Sequence, residues 1–162
     1  MTERSTRHAT FSIERQYGAS PARVFHAWAD PAAKAQWFAG TAGRWHEQIR
    51  ESNFRVGGRD RVVGAWKDGP VSAFECVYQD IVTNERIVYT YDMHLDGTRI
   101  SVSPATVEFR ANGGGTKLIV TEQGVFLDAY DDAGSREQGT RALLENLAIA
   151  LAAANSQKAA QA

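Results

Sequence analysis

Residues 20–38 read SPARVFHAWADPAAKAQWF, and this stretch decides the fold because it carries one helix-start signal twice in quick succession. Ser20-Pro21 and Asp30-Pro31 each set an oxygen-bearing cap residue ahead of a proline, whose fixed φ suits the first helical position. Val24, Phe25 and Trp28 then recur at helical spacing and bury one face of the first helix. The second, equally short, ends near Trp37-Phe38. Upstream, residues 10–17 alternate as a strand that stops at Gly18. Downstream of a loop at Gly40 to Gly43, strand-like segments occupy 47–56, 59–66, 71–83, 85–95, 99–110 and 116–127. The breaks between them have mechanisms. Gly57-Gly58 can take positive φ, Lys67-Asp68-Gly69-Pro70 cannot extend a central strand, and Asp96-Gly97 and Asn112-Gly113-Gly114-Gly115 are hairpin turns. A six-strand antiparallel meander follows. At the end of the chain Ser135 and Gln138 match a capping box, and Leu143, Leu144, Leu147 and Leu151 form a stripe at helical spacing. A helix over 135–154 would reach about 30 Å, enough to cross a small sheet. The expected order is strand, two short helices, six strands and one long helix, an α+β arrangement.

Bulk properties narrow the class. A chain of 162 residues with 43% hydrophobic and 23% charged residues lies near globular averages, so neither disorder nor a fibrous class is favoured. We expect one domain over 10–154 with flexible ends at 1–9 and 155–162. The net charge of −1 comes from scattered residues with no basic stripe, which argues against nucleic acid as a partner. The lone Cys76 cannot form an internal disulfide and the N-terminus has no apolar core of a signal peptide, so a cytoplasmic location is expected. The longest apolar run, at 143–154, is interrupted by Glu145 and Asn146 and is too short to insert in a membrane. A monomer or a homodimer would suit such a chain.

The order of elements resembles the helix-grip (START-like, SRPBCC) fold, and the residues match its activator-of-Hsp90-ATPase-like branch. The resemblance is carried by Ser20-Pro21-x-x-Val24-Phe25 with Trp28, Asp30-Pro31 and Trp37-Phe38, and by Phe54-Arg55-Val56-Gly57-Gly58. Tyr78-Gln79-Asp80-Ile81-Val82, Glu85-Arg86-Ile87-Val88-Tyr89-Thr90, Thr106-Val107-Glu108-Phe109, Gly113-Gly114-Gly115-Thr116 and Thr121-Glu122-Gln123-Gly124 extend it, so that it spans roughly Thr10 to Leu151. The resemblance implies a curved antiparallel sheet wrapped around the long C-terminal helix, with an internal cavity between them. The same fold serves hydrophobic ligand binding, polyketide cyclisation and signalling, and fold alone does not choose. Chaperone ATPase stimulation is implied by the branch name, but the eukaryotic activators use a separate amino-terminal domain for which this chain has no room. Many relatives carry tryptophan after the glycine that opens the last helix, where this chain has Gly139-Thr140. That departure is expected to leave extra space in the pocket.

Alternation identifies the cavity face. Ile87, Tyr89, Tyr91 and Met93 share one side of a strand, as do Leu118, Val120 and Glu122. A carboxylate among aliphatic residues must shift its pKa or find a partner. Glu122 is therefore a ligand anchor, an acid or base acting with Tyr91, or half of a structural ion pair with an arginine. The ligand-binding set expected from these patterns is Trp37, Phe38, Trp66, Tyr78, Tyr89, Tyr91, Met93, Phe109, Glu122, Phe126, Thr140, Leu144 and Leu147. Trp37-Phe38, beside the glycine loop, is the expected entrance. The expected ligand is a small apolar or amphipathic molecule, with a non-enzymatic carrier role ahead of a cyclase or hydrolase using Glu122. No cofactor is expected. His46-Glu47 begins like a zinc motif, but Arg50 stands where the second histidine belongs, so no metal is expected. His8, His26, His46 and His94 fall on four separate elements, Cys76 reads as a small buried residue, and the glycine clusters lack a phosphate-loop lysine.

Overall fold

A computed structural model of the chain describes residues 3–160. In chain order the elements are β1 (Thr6–Tyr17), α1 (Pro21–Ala29), α2 (Pro31–Ala35), β2 (Trp45–Glu51), β3 (Arg59–Trp66), β4 (Val71–Val82), β5 (Arg86–Leu95), β6 (Thr98–Asn112), β7 (Gly115–Leu127) and α3 (Ala133–Ala160). The seven strands form one curved antiparallel sheet in the order β1-β7-β6-β5-β4-β3-β2. This is the helix-grip α+β fold. Strands β2 to β7 follow one another as hairpins, and β1 joins the far edge beside β7, with Thr6 opposite Leu127 and Tyr17 opposite Thr116.

The two cap-and-proline signals both operate. Ser20 Oγ accepts from Arg23 N at 3.3 Å and Asp30 Oδ2 accepts from Ala33 N at 2.9 Å, satisfying amides that a helix start leaves free. Asp30 also ends α1, since its own amide donates to His26 O at 2.9 Å. In the β5–β6 hairpin Asp96 and Gly97 have φ of 49° and 81°. Two successive positive φ values match the twist of the flanking strands, and Asp96 Oδ1 also accepts from Val71 N at 2.9 Å.

Several boundaries differ from those expected, each for a physical reason. The first strand starts at Thr6 because its pairing with β7 continues beyond Thr10, and Asp128 holds the preceding residues by accepting from Ser5 N and Arg4 Nη1, each at 2.9 Å. The second helix ends at Ala35, and Trp37-Phe38 lie in the turn after it. The second strand runs from Trp45 to Glu51 and stops short of 56, because Ser52 Oγ and Asn53 N leave the ladder to donate to Asp60 Oδ1 at 2.8 and 3.2 Å. Ser135 is not the cap of the last helix. Asp132 fills that role, its Oδ1 accepting from Ser135 N at 2.8 Å and its Oδ2 from Ser135 Oγ at 3.1 Å. The helix extends to Ala160, beyond the end expected at 154. Of the ends expected to be flexible, residues 1, 2, 161 and 162 lie outside the described residues.

α1 and α3 pack on the inner side of the sheet. Phe25 meets Phe54 and Phe109 edge-on at centroid distances of 5.8 and 5.4 Å, and Trp28 meets Trp37 at 4.7 Å. Leu144, Leu147 and Leu151 bury the inner stripe of α3, and Tyr17 Oη donates to Leu144 O at 2.9 Å, tying β1 to this helix. Gly64 on β3 lies directly under the Trp45 indole, where a Cβ would collide with the ring, so the missing side chain lets the tryptophan lie on the sheet.

Candidate functional site

Between the sheet, α3 and the α2–β2 loop lies a cavity of about 430 Å³. Of the residues expected to form it, Trp37, Phe38, Trp66, Tyr89, Tyr91, Met93, Glu122, Thr140 and Leu144 line it. Tyr78, Phe109, Phe126 and Leu147 do not. Phe109 is covered by the rings of Phe25 and Trp28, and Phe126 lies beneath the Arg136 guanidinium, 5.3 Å from its ring centroid. Leu147 is enclosed in the core cluster, and Tyr78 belongs to a separate polar cluster. Sequence reasoning missed Trp28, Trp45, Phe74 and Arg136 in the wall. All four tryptophans of the chain thus border one space.

Trp37-Phe38, the expected entrance, is tied by hydrogen bonds to three elements. Trp37 is 1% exposed and its Nε1 donates to Ala27 O at 2.9 Å. Asn146 Nδ2 on α3 donates to Trp37 O at 3.3 Å, and Arg50 Nη2 on β2 donates to Phe38 O at 2.7 Å.

The cavity wall is mostly aromatic and aliphatic, and its charged groups, Glu122, Asp131 and Arg136, gather at the end near the start of α3. Glu122, 4% exposed, accepts from Tyr91 Oη through Oε1 and from Thr140 Oγ1 through Oε2 at 2.8 Å. Arg136 Nη1 donates to Tyr91 Oη at 3.0 Å, while its Nη2 donates to Ser101 Oγ at 2.8 Å and Asp131 Oδ2 at 3.0 Å. The arginine is therefore one hydrogen bond away from Glu122, and its ion pair is with Asp131. The direct Glu122–arginine pair expected as one alternative is not formed; two hydroxyls take its place. Burial pushes the Glu122 carboxyl above its ordinary pKa, against the downward pull of the Tyr91 and Thr140 hydrogen bonds and the Arg136 charge. Burial, and then the charge of Glu122, also raise the Tyr91 phenol.

A second buried cluster holds α2 to the sheet. Lys34 Nζ donates to Asp60 Oδ2 at 3.0 Å and Tyr78 Oη at 3.1 Å, and Tyr78 Oη donates to the same Asp60 oxygen at 2.5 Å. The ammonium also stands 4.6 Å from the centroid of the Phe38 ring. Burial alone would raise the Asp60 carboxyl, but the Lys34 charge and the hydrogen bonds from Tyr78, Ser52 and Lys34 outweigh it and hold it below its ordinary range. Every partner is satisfied inside the cluster, which reads as a structural clamp. Cys76 is buried beside it, its thiol pushed up to about 11 chiefly by burial, far from the thiolate that chemistry would need. Among the described residues no group of three or more His, Cys, Asp or Glu side chains could hold a metal ion. No helix among them is long and apolar enough to cross a membrane.

The family model described as Activator of Hsp90 ATPase homolog 1-like protein matches residues 18–152. Among solved structures, an uncharacterized protein from Rhizobium leguminosarum is 50% identical over 93% of this chain and 98% of its own, with a TM-score of 0.88. The Mll3558 protein from Rhizobium loti is 43% identical over 90% of this chain and 99% of its own, with a TM-score of 0.83. An AHSA1-like protein from Aeromonas hydrophila is 25% identical over 91% of this chain and 94% of its own, with a TM-score of 0.72. A search of the curated proteins finds no match.

Proposed function

This chain belongs to the Activator of Hsp90 ATPase homolog 1-like family of the SRPBCC superfamily, and from that premise we propose that it binds a small, largely apolar molecule in the cavity between sheet and α3. The observation that carries this reading is the make-up of the cavity, whose wall is mostly aromatic and aliphatic and whose charged side chains gather at one end. Such pockets bind by apolar contact and orient the ligand through a few fixed polar groups. Native mass spectrometry of the protein as isolated tests it directly, because a cavity of this kind is expected to retain a cellular molecule. Thr140→Trp is the matched control. Its indole would project among Glu122, Tyr91 and Gly139, so the variant should lose the retained mass and the thermal stabilisation given by added ligands. If the purified protein carries nothing and its melting temperature does not move with a lipid, steroid and polyketide panel, the reading fails.

A second reading is acid–base catalysis, favoured by the raised carboxyl of Glu122 in hydrogen-bond contact with Tyr91. Glu122→Gln separates the alternatives. A carboxyl whose folded-state pKa is raised contributes stability that is full below its ordinary pKa and lost as pH rises through the raised value. The amide does not titrate, so the apo variant is expected to equal or exceed the wild type in stability near neutral pH, with the difference closing in acid. Binding should weaken about tenfold with loss of a charge-assisted hydrogen bond. An enzyme would instead keep its affinity and lose turnover. A variant unchanged in stability, binding and turnover would mean that the carboxylate faces water and contributes to none of them.

A further inference from the structure

We propose that the molecule held in the cavity is a lipophilic amine, bound as its ammonium ion against the Glu122 carboxylate. The proposal rests on the cavity being a binding site, and charge accounting carries it beyond that. Among the described residues three charged side chains line the space, Glu122, Asp131 and Arg136. Asp131 takes up the arginine at 3.0 Å, and the other side-chain hydrogen bonds of Arg136 go to the hydroxyls of Tyr91 and Ser101. Lys34 is neutralised by Asp60 outside the lining. Among the described residues no lysine, arginine or histidine forms an ion pair with Glu122, whose partners are two hydroxyls. The lining therefore carries one net negative charge, and it sits at Glu122. A buried carboxylate without a cation is costly, and the missing counter-charge is what a ligand can bring.

Hydrogen-bond chemistry narrows the choice further. Tyr91 spends its proton on Glu122 and accepts from Arg136, and the Thr140 proton is taken up between the other carboxylate oxygen at 2.8 Å and Arg136 O at 3.1 Å. An ionised carboxylate has about four acceptor sites, so two stay open, and neither hydroxyl has a proton left to offer a ligand acceptor. What Glu122 can take is an N–H or O–H donor. The rings of Phe74 and Tyr89 stand 5.0 and 5.9 Å from that of Tyr91, giving an aromatic surface beside the carboxylate that favours a cation over an anion. An ammonium supplies the donor, the compensating charge and the partner for the rings. An alcohol supplies the donor alone, and a carboxylate is repelled. Burial raises the Glu122 carboxyl, and an ammonium ion beside it would act in the opposite direction and hold it ionised.

Octylamine, octanol and octanoic acid share one apolar body and differ only at the head. Because every tryptophan borders the cavity, intrinsic fluorescence reports occupancy, with titration calorimetry as the second readout. Near neutral pH the wild type is expected to bind octylamine at least about tenfold more tightly than octanol and to bind octanoate most weakly. In Glu122→Gln the amine and alcohol affinities should converge to within about twofold. Octanol or octanoate bound as tightly as the amine by the wild type would overturn the amine assignment and leave the binding-site reading standing. No binding of any of the three, with no shift in melting temperature, would overturn both. The ranking in the wild type decides the matter even if Glu122→Gln fails to fold.

Discussion

Replacing Asp60 with alanine is expected to destabilise the protein by about 3 to 5 kcal/mol, the usual consequence of stranding one member of a buried ion pair. The side chains of Lys34 and Asp60 are 7% and 3% exposed, so water cannot readily solvate the ammonium left behind. The same change removes the acceptor for the Tyr78 hydroxyl and for Ser52 and Asn53, which fix the turn after β2. Urea unfolding near neutral pH measures the loss. The effect carries a pH signature. Asp60 is held below its ordinary pKa, so its contribution is present above the ordinary carboxylate value and lost as pH falls through the lowered one. The gap between wild type and variant should therefore narrow in acid. Exchanging the whole cluster for apolar residues, Lys34→Met with Asp60→Leu and Tyr78→Phe, should recover most of the stability, because no buried charge is then left unpaired. A loss below about 1 kcal/mol in Asp60→Ala would mean that water reaches Lys34.

Leu147→Ala should cost about 2 to 5 kcal/mol, from the lost transfer energy of the side chain and the void it leaves. Leu147 is 0% exposed and enclosed in the core, outside the lining of the ligand cavity. Ligand affinity measured well below the unfolding transition should therefore change little. Leu144, three residues earlier on α3, lines the cavity. Its truncation would enlarge the binding space and is expected to alter ligand preference as well as stability. A loss under about 1 kcal/mol at Leu147 would show that neighbouring side chains collapse into the gap.

Local signals carried most of the architecture. Caps, prolines, hairpin dipeptides and period-two alternation act over a few residues, and the order of elements read from them agrees with the fold. Alternation also identifies the face on which Tyr91 and Glu122 lie. It does not tell how far along a strand the cavity extends, because that depends on where a helix from elsewhere is laid. Phe109 shares the inner face yet lies beneath α1. Phe126 is likewise covered by Arg136, a residue whose neighbours in sequence give no hint of it. The Lys34, Asp60 and Tyr78 cluster joins α2, β3 and β4, so no single window contains it. One signal was available: Asp60 alternates with Val62 on β3, as Glu122 does with Val120, and both acids are buried. A lone carboxylate in phase with aliphatic neighbours predicts an inward polar group at both places. Which of the two faces a cavity is decided by tertiary packing.

The pairing of β1 with β7 has a consequence during biosynthesis. Every other strand of the sheet meets a partner made immediately before or after it, whereas Tyr17 must wait until Thr116 has left the ribosome. At about 5 to 20 residues per second, that interval is on the order of 5 to 20 s. Throughout it β1 is an unpaired strand with Ile13 and Tyr17 uncovered, the condition under which nascent chains recruit chaperones or misassociate. The meander from β2 to β7 can zip hairpin by hairpin as it emerges, so a nascent-chain series should show protease protection spreading through the meander first. Protection of the amino-terminal strand should appear abruptly, only once β7 has cleared the exit tunnel.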